Sequence, residues 1–369
     1  MAVRSAFPAH RYPQDELARA YAAIAGGLRP SQRILLERLY ANAGVAHRHT
    51  VLPVEQYAAL AAPGAPIAND RYIEEATALG ERALRSALAS GGLEPAAVDL
   101  LIVTSVTGVA VPSLDVRLIP RLGLRPDIKR LPIFGLGCVA GGAGLARLHD
   151  YLLAWPGHTA ALLAVELCSL TVPRTKVTTA DLVASALFGD GAAAVLATGD
   201  ETDGDETDGD DAAVEDAAAR PPGRRLPRVI ATRSEVYPDS ADTLGWRLGA
   251  DGFRIVLTAE LAEVVERRLN GSVTAFLGEH GLTVDDIGSW ICHPGGPKVL
   301  DAAQRALKLP DSALAASRRS LSEAGNMSSV SVLHILELTA GQDEPAPGSF
   351  GLMIGLGPGV SAELLLLRW

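Results

Sequence analysis

The apolar positions of the chain form short runs that alternate with segments of helical periodicity. Before residue 200, continuous apolar runs of strand length predict four β-strands, at Leu100–Val106, Leu131–Phe134, Ala160–Glu166 and Ala192–Ala197. Apolar residues spaced three and four apart predict amphipathic helices near residues 72–90, 114–122, 138–154 and 179–187. The first part of the chain therefore alternates strands and helices.

The same alternation restarts after residue 227. The pattern there predicts strands at Arg228–Val236, Phe253–Leu257, Trp290–His293, Gly351–Gly355 and Ser361–Arg368. It predicts helices near residues 259–280, 296–308 and 328–340. Two halves of this kind, residues 1–226 and 227–369, indicate an internally duplicated α/β architecture.

An acidic tract separates the two halves. Residues 200–216 hold ten acidic residues and no lysine or arginine, and the pentapeptide Glu-Thr-Asp-Gly-Asp occurs twice in tandem. The formal net charge of −10 comes from this tract, and the rest of the chain is neutral. Low complexity and self-repelling charge predict a disordered insertion at about residues 199–226. The neutral remainder has no basic stripe, which argues against nucleic-acid binding.

Composition narrows the cellular setting. Hydrophobic residues make up 48% of the 369 residues, yet no apolar run approaches the roughly 20 residues of a membrane-spanning helix. The first residues lack the apolar region of a signal peptide, so we expect a cytoplasmic protein. Three cysteines, Cys138, Cys168 and Cys292, are too few for a disulfide framework and are expected to be reduced.

Cys138 lies at the most informative point of the pattern. The predicted strand Leu131–Phe134 leads into a glycine turn, then Cys138, and then an Ala/Leu-rich helical pattern. This order places a thiol at a helix N-terminus, where the helix dipole favours negative charge. A cysteine in that position tends towards thiolate, the form that attacks acyl groups. We therefore expect Cys138 to accept an acyl group.

Two further residues suit a thiol of this kind. His293 ends a predicted strand before Pro-Gly-Gly, and Asn326 follows a glycine and precedes a predicted helix. Each signal alone is weak, because a lone histidine is usually a core or turn residue and asparagine commonly caps helices. Together they provide an imidazole to hold the thiolate and an amide to stabilise an oxyanion. The ends of neighbouring strands form the ligand crevice of α/β sheets, so we expect the three to meet there.

A nicotinamide oxidoreductase is the competing interpretation of the cysteine turn. Gly135, Gly137 and Ala140 fit the dinucleotide-binding fingerprint, and Glu166 ends a later strand. That interpretation puts a cysteine where pyrophosphate must approach the backbone closely. It also leaves His293 and Asn326 without a role, and we disfavour it.

Five motifs resemble those of the type III polyketide synthases, the chalcone synthase-like condensing enzymes. They are Gly137-Cys138 with the glycines that follow, and residues 187–193, 293–297, 325–329 and 355–359. The resemblance runs from about Arg38 to the C-terminus, apart from the acidic insertion. It implies an α/β protein with the thiolase-like duplicated αβαβα layered fold. It also implies a homodimer that condenses malonyl-CoA iteratively onto an acyl-CoA starter without a carrier protein.

The resemblance assigns roles to the three central residues. Cys138 resembles the nucleophile that takes the starter acyl group, and His293 the imidazole that keeps it as thiolate. His293 and Asn326 would together hold the thioester oxygen of malonyl-CoA while CO2 is lost, since two fixed donors stabilise the enolate that forms. The substrates are CoA thioesters, and neither a metal nor a redox cofactor is expected.

The resemblance also assigns a cavity and a CoA entrance. Phe188 resembles a gatekeeper aromatic, Ile255 falls at a second gatekeeper position that is phenylalanine in plant members, and Trp246 replaces a plant glycine. Further cavity positions are Val106, Cys168, Ser328, Gly355 and Gly357. Arg38 matches a basic residue at the CoA entrance, and Lys298 is a candidate for replacing two missing lysines there.

The product is the least determined feature. Residues 107–113 and 245–253 look like bacterial members that take fatty acyl-CoA starters, and tetrahydroxynaphthalene-forming members commonly have cysteine where Val106 lies here. We therefore favour an aliphatic starter and a pyrone or resorcinol product. A malonyl-CoA-only tetrahydroxynaphthalene-type synthase and a carrier-protein-dependent β-ketoacyl synthase remain alternatives, and the extender is malonyl-CoA or methylmalonyl-CoA.

Overall fold

The computed structural model describes residues 1–61, 65–171, 177–199, 226–249, 252–258, 260–343 and 345–369. The acidic tract at residues 200–216, which the sequence predicts to be disordered, lies outside the described residues. The first half forms seven strands, β1 Ala2–Ala6, β2 His10–Pro13, β3 His47–Thr50, β4 Val98–Thr104, β5 Lys129–Ile133, β6 Thr159–Leu167 and β7 Asp190–Thr198. Its helices are α1 Gln14–Ile24, α2 Pro30–Ala41, α3 Ala65–Gly91, α4 Leu114–Leu122, α5 Ala140–Ala154 and α6 Thr179–Leu187.

The second half continues the numbering. Its strands are β8 Arg228–Val236, β9 Leu244–Gly249, β10 Gly252–Leu257, β11 Ile287–Cys292, β12 Phe350–Gly357 and β13 Ser361–Arg368. Its helices are α7 Leu261–Gly278, α8 Pro297–Leu307, α9 Ala315–Ala324 and α10 Val330–Leu338.

Two main sheets carry the same strand pattern. In the first, the strand order is β1-β7-β6-β4-β5, with β4 parallel to β5 and β6, and β7 antiparallel to β6 and β1. In the second, the order is β11-β12-β13-β8, with one parallel pair followed by two antiparallel pairs. The run β4-β6-β7-β1 therefore repeats as β11-β12-β13-β8, and the duplication expected from element order is present in the sheets.

Five layers stack around these sheets. Helices α5 and α10 lie between the sheets, where Leu145, Leu148, Val332 and Leu333 belong to a buried cluster that includes residues of both. Helices α3 and α4 cover the outer face of the first sheet, and α7 and α8 cover that of the second. The order helix, sheet, helix pair, sheet, helix is the expected αβαβα arrangement.

The N-terminal helices belong to the second core rather than the first. Leu17, Tyr21, Leu36 and Tyr40 of α1 and α2 are buried with residues of α7, α8 and the second sheet. Residues near the N-terminus therefore brace the other half of the molecule. The division at residues 226 and 227 stays a prediction about chain halves.

Candidate active site

Cys138 lies in a tight turn between strand β5 and helix α5. Gly135 and Gly137 have positive φ angles of 94° and 57°, and a short 3-10 turn at Gly137–Val139 leads directly into α5. A Cβ atom at Gly137 would lie 2.5 Å from Cγ of Pro358, so no side chain fits there. The expected helix N-terminus is present, and it packs against the segment around Pro358.

The last glycine motif of the chain lies against this cysteine turn. A Cβ at Gly357 would be 2.7 Å from Cβ of Val139, and one at Gly355 would be 3.3 Å from Cγ2 of Val139. Both glycines therefore let strand β12 pass close to the residue that follows Cys138. Their assignment to the cavity floor stays a prediction.

His293 follows strand β11 immediately and is 2% exposed. Its backbone N–H donates to the carbonyl of Ile354 on β12 at 2.9 Å, which places it beside the strand that contacts the cysteine turn. Its Nδ1 has no hydrogen-bond partner among the described residues. A buried Nδ1 with no partner in the described part of the chain is free to bond a substrate.

Asn326 is not a helix cap. Its backbone N–H donates to the carbonyl of Leu187 at 2.8 Å, its carbonyl accepts from Gly189, and α10 begins only at Val330. Its Oδ1 accepts the backbone N–H of Ser328 at 2.8 Å. With the amide oxygen engaged, the amide nitrogen is the part of Asn326 that can donate to a ligand.

Burial favours the neutral forms of both the thiol and the imidazole. Burial raises the pKa of Cys138 to about 12, the neighbouring Ser328 opposes this, and the charge of Glu166 adds to it. Burial lowers the pKa of His293 to about 3. Burial therefore opposes the thiolate expected from the helix N-terminus, because desolvation disfavours the charged form of the thiol. A thiolate forms at Cys138 only when the thiol proton moves to another group.

Ser328 connects the thiol with the amide turn. Its side chain lies beside Cys138 and lowers the thiol pKa, although its hydroxyl makes no hydrogen bond of normal geometry within the described residues. Its φ angle of 50° is in the left-handed region that non-glycine residues rarely adopt. The structure therefore brings Cys138, Ser328 and Asn326 into one neighbourhood.

A buried carboxyl group was missed as part of this site. Glu166 is fully buried and accepts the Ser329 hydroxyl at 2.6 Å and, at 3.0 Å each, the Val106 N–H and the Thr107 hydroxyl. Burial raises the pKa of Glu166. The sequence indicated Glu166 only as the acidic residue of a dinucleotide-binding pattern. Its role in this site was not predictable, because its partners are some 60 and 163 residues away along the chain.

Two predicted cavity residues lie around this carboxyl group. Val106 contributes its backbone N–H to Glu166. Cys168 is buried, and the charges of Glu166 and Asp190 add to the burial that raises its pKa well above the usual range. Val106 and Cys168 therefore both lie near Glu166, and their assignment to the cavity stays a prediction.

The predicted gate residues form one cluster. The Phe188 ring is 6.4 Å from that of Trp246, and Trp246 faces Ile255 across the β9–β10 hairpin. Phe253 adds an edge-to-face contact with Trp246 at 6.2 Å, which the sequence did not indicate. Phe188 also pairs with Asn326 in an isolated β-bridge. The gate therefore adjoins the turn that holds Asn326.

The predicted CoA-binding residues are exposed. Arg38 lies in the last turn of α2, and Lys298 is the second residue of α8. A Cβ at Gly44 would lie 3.2 Å from Cγ of Pro297, so the chain after α2 packs against the start of α8. Both cations lie on neighbouring elements, and their CoA role stays a prediction.

The described residues include no cluster of three or more metal-ligating side chains. No helix among them combines the length and hydropathy that a membrane span requires.

Comparison with known proteins places this geometry in a family. Residues 1–201 match the model described as chalcone and stilbene synthases, N-terminal domain, and residues 228–369 match the C-terminal domain. A 1,3,6,8-tetrahydroxynaphthalene synthase of Streptomyces peucetius subsp. caesius is 52% identical over 369 residues, which are 100% of this chain and 92% of that protein.

Solved structures show the same similarity. The crystal structure of 1,3,6,8-tetrahydroxynaphthalene synthase from Streptomyces coelicolor A3(2), a bacterial type III polyketide synthase, superposes with a TM-score of 0.88 at 30% identity, over 100% of this chain and 98% of that one. A polyketide synthase of the brown alga Ectocarpus siliculosus has a TM-score of 0.88 at 27% identity, over 100% and 97% of the two chains.

Proposed function

The chain belongs to the chalcone and stilbene synthase family and is a type III polyketide synthase, and from this premise we propose that it uses malonyl-CoA as both starter and extender. The observation that carries the proposal is the 52% identity, over the whole chain, to a 1,3,6,8-tetrahydroxynaphthalene synthase. The product proposed is therefore tetrahydroxynaphthalene or a close relative. This choice replaces the aliphatic starter favoured by residues 107–113 and 245–253.

Val106 does not count against this proposal. Tetrahydroxynaphthalene-forming members commonly have cysteine at this position, but here residue 106 is 5% exposed and its contact with the Glu166 network is made by the backbone N–H. A backbone contact is the same for valine and cysteine. Trp246 supports the proposal, since its ring lies beside Phe188 and a ring in place of the plant glycine would narrow a cavity at this position.

Loading begins with a proton transfer. The Cys138 thiol gives its proton to His293, and the thiolate attacks the thioester carbonyl of the starter. The acyl group is transferred to sulfur, and CoA leaves as its thiolate and takes the proton back from His293. A neutral imidazole can accept the proton, and the transfer proceeds together with attack on the bound thioester, so that no thiolate has to accumulate beforehand.

Extension follows on the same residues. The thioester oxygen of malonyl-CoA is held by His293 and the Asn326 amide, and loss of CO2 leaves an enolate whose charge these donors stabilise. The enolate carbon attacks the acyl group on Cys138, the lengthened chain passes to CoA, and the Cys138 thiolate is released. Each step balances with CoA thioesters alone, so we propose that no further cofactor takes part.

The test is a starter panel read by mass spectrometry. The purified enzyme is given malonyl-CoA alone, malonyl-CoA with acyl-CoA starters from acetyl to palmitoyl, and methylmalonyl-CoA in place of malonyl-CoA. The proposal predicts the full yield of an aromatic product from malonyl-CoA alone. Product that forms only with a fatty acyl-CoA would establish the aliphatic alternative, and loading only from an acyl carrier protein would establish a ketoacyl synthase.

We also propose that the enzyme is a homodimer. Strand β5 is an edge strand exposed along most of its length, and Val111, Leu131 and Phe134 near it are 91%, 39% and 58% exposed. Two copies that pair this edge across a twofold axis would cover these side chains. Light scattering should give a dimer that Phe134→Glu dissociates and Val236→Glu, at the edge of the other sheet, does not. A monomeric wild-type protein would overturn this.

The expected location follows from the substrates. We propose that the enzyme works in the cytoplasm, where malonyl-CoA is made and consumed. Cell fractionation with an antibody against the chain would test this, and recovery outside the cytoplasmic fraction would contradict it.

A further inference from the structure

A buried arginine lies behind the gate and the amide turn. Arg48 is on strand β3 and is 5% exposed. Its Nη1 donates to the carbonyls of Ser185 and Phe188, each at 2.7 Å, and its Nε donates to Oε1 of Gln14 at 3.0 Å. Gln14 in turn donates to the carbonyl of Ala186 at 2.7 Å. The guanidinium group therefore binds both ends of the segment 185–188.

These bonds complete the end of helix α6. The last carbonyls of a helix have no partner within it, and a buried helix end must find donors elsewhere. Here the carbonyls of residues 185, 186 and 188 accept from Arg48 and Gln14, and that of Leu187 accepts from the backbone of Asn326. The donor set therefore includes one backbone N–H from the proposed catalytic asparagine.

The amide turn and the gate segment are locked together. Gly189 donates to the carbonyl of Asn326 at 3.0 Å, and a Cβ at Gly189 would lie 2.2 Å from the carbonyl oxygen of Ala324. A Cβ at Gly325 would lie 2.9 Å from Cδ of Arg48. The alkyl stem of Arg48 therefore packs directly behind the turn that carries Asn326.

Carbonyl groups, rather than a carboxylate, hold the charge of Arg48. The residue forms no ion pair with the carboxylates of the described ranges, and the nearby Asp190 is instead bound by Val51 and Ser169. The guanidinium carbon lies 5.4 Å from the centre of the Tyr40 ring. Nη1 bonds the two carbonyls while Nε bonds Gln14, and donors spread over one rigid plane are a property of arginine that the single ammonium group of lysine lacks.

We propose that Arg48 is a positioning residue for malonyl decarboxylation, which holds the Asn326 turn and the Phe188 gate as one rigid unit. This inference rests on the proposed function of Asn326. Arg48 does not touch the substrate. It fixes the backbone from which the Asn326 amide reaches the thioester oxygen, and a displacement of about 1 Å at such a donor costs on the order of a hundredfold in rate.

The test separates two partial reactions in the full-length enzyme. Arg48→Lys keeps the charge and the stem but loses the fork, and the inference predicts at least a tenfold slower release of CO2 from malonyl-CoA. Loading of Cys138, followed by intact mass after addition of acetyl-CoA, should change less than twofold. A purely structural role would lower both in proportion to the fraction of folded protein, which thermal unfolding measures.

A double-mutant cycle tests the route through Asn326. In an Asn326→Ala background, Arg48→Lys should lower decarboxylation less than twofold further, because the donor that Arg48 positions is gone. Fully additive losses would overturn the inference. If Asn326→Ala alone leaves decarboxylation intact, the proposed function of Asn326 fails instead, and the two failures are distinguishable.

Two further variants serve as a control and as an independent test. Arg125→Lys alters an arginine that pairs with Asp99 at the start of strand β4, away from the site, and should leave both partial reactions unchanged. Gln14→Met keeps Arg48 but removes both the donor to Ala186 and the acceptor of the Arg48 Nε, so it keeps the test decisive if Arg48→Lys does not fold. It should slow decarboxylation more than loading, and an equal effect on both would overturn the inference.

Discussion

The turns that lead into the two central helices carry different chemistry into the same site. The turn before α5 carries Cys138, and the turn before α10 carries Asn326. The two helices touch at their N-termini, because a Cβ at Gly141 would lie 2.1 Å from the carbonyl oxygen of Ser329. Duplication of one sheet pattern thus provides two helix N-termini at one place, and each half has specialised.

The two turns are also held in different ways. The cysteine turn is packed by apolar contacts of Pro358 and Val139 with glycines. The amide turn is held by backbone hydrogen bonds to Leu187 and Gly189, and Arg48 lies behind it. Close apolar packing fixes the position of the cysteine turn, whereas the direction of the proposed oxyanion donor must also be fixed, which hydrogen bonds achieve.

The largest effect is expected from the cysteine turn. Cys138→Ala should abolish polyketide formation, because no other group receives the starter. Intact-mass measurement should show no acyl adduct after incubation with acetyl-CoA or malonyl-CoA. Cys168→Ala, which removes a buried thiol nearby, is the control and should still form the adduct. A persistent product from Cys138→Ala would disprove the nucleophile assignment.

A smaller loss is expected from the amide turn. Asn326→Ala removes one donor to the developing enolate and should slow decarboxylation by about a hundredfold to a thousandfold. Loading of Cys138 should continue, since the thiol and His293 remain. Release of labelled CO2 and intact mass measure the two steps. Equal losses in both would mean that the halves do not divide the chemistry as proposed.

Acid sensitivity should distinguish the two central helices. Burial lowers the pKa of His334 on α10 to about 4, whereas the unfolded chain keeps the ordinary value of about 6.5. The unfolded state then binds the proton more tightly, so stability falls as the pH drops from about 6.5 towards 4. This residue should contribute a loss of about 2 kcal/mol at about pH 5.

The comparison is made by denaturant unfolding at neutral and acidic pH. Between neutral and acidic pH, the free energy of unfolding should decrease less in His334→Asn than in the wild-type protein. Part of the decrease should remain because of His293, since burial lowers the pKa of that residue to about 3. His149→Asn on the half-buried face of α5 should change the fall less. An unchanged fall in His334→Asn would contradict the account of α10.

No effect is expected from the tract between the halves. Each sheet is formed from strands on one side of residues 200–225, so deletion of residues 200–216 should leave product formation and melting temperature unchanged. A loss of activity in this variant would show that the acidic tract has a function in addition to those proposed for the cysteine turn and the amide turn.

Sequence patterning predicted most of the elements that build these turns. Arg228–Val236, Ser361–Arg368, Leu114–Leu122 and Thr179–Leu187 have the predicted bounds, and the other predicted strands and helices deviate at their ends. The missed elements are β1, β2, β3, β9, α1, α2 and α9. Strand β1 and helix α9 lack a clear apolar pattern, because Ala2–Ala6 contains two polar residues and Ala315–Ala324 is rich in serine and arginine. Their burial is decided by neighbours distant in sequence.

The residues of the site likewise include some that the sequence predicted and some that it did not. The sequence predicts Cys138, His293 and Asn326 as candidate site residues, because each comes after a strand or a glycine and before a helix. The sequence did not predict that Glu166 and Arg48 belong to the site, because their partners lie far along the chain and only the fold brings them together. The raised pKa of Cys138 likewise results from burial, which the sequence pattern of the turn does not reveal.

The division of labour between the two turns is tested most directly by CO2 release from Cys138→Ala. With carboxyl-labelled malonyl-CoA as the only substrate, the account predicts that this variant still releases CO2, within about tenfold of the wild-type rate, while forming no acyl-enzyme. The donors His293 and Asn326 are unchanged in it and act without the thiol. Release reduced to the level of Asn326→Ala would contradict the account.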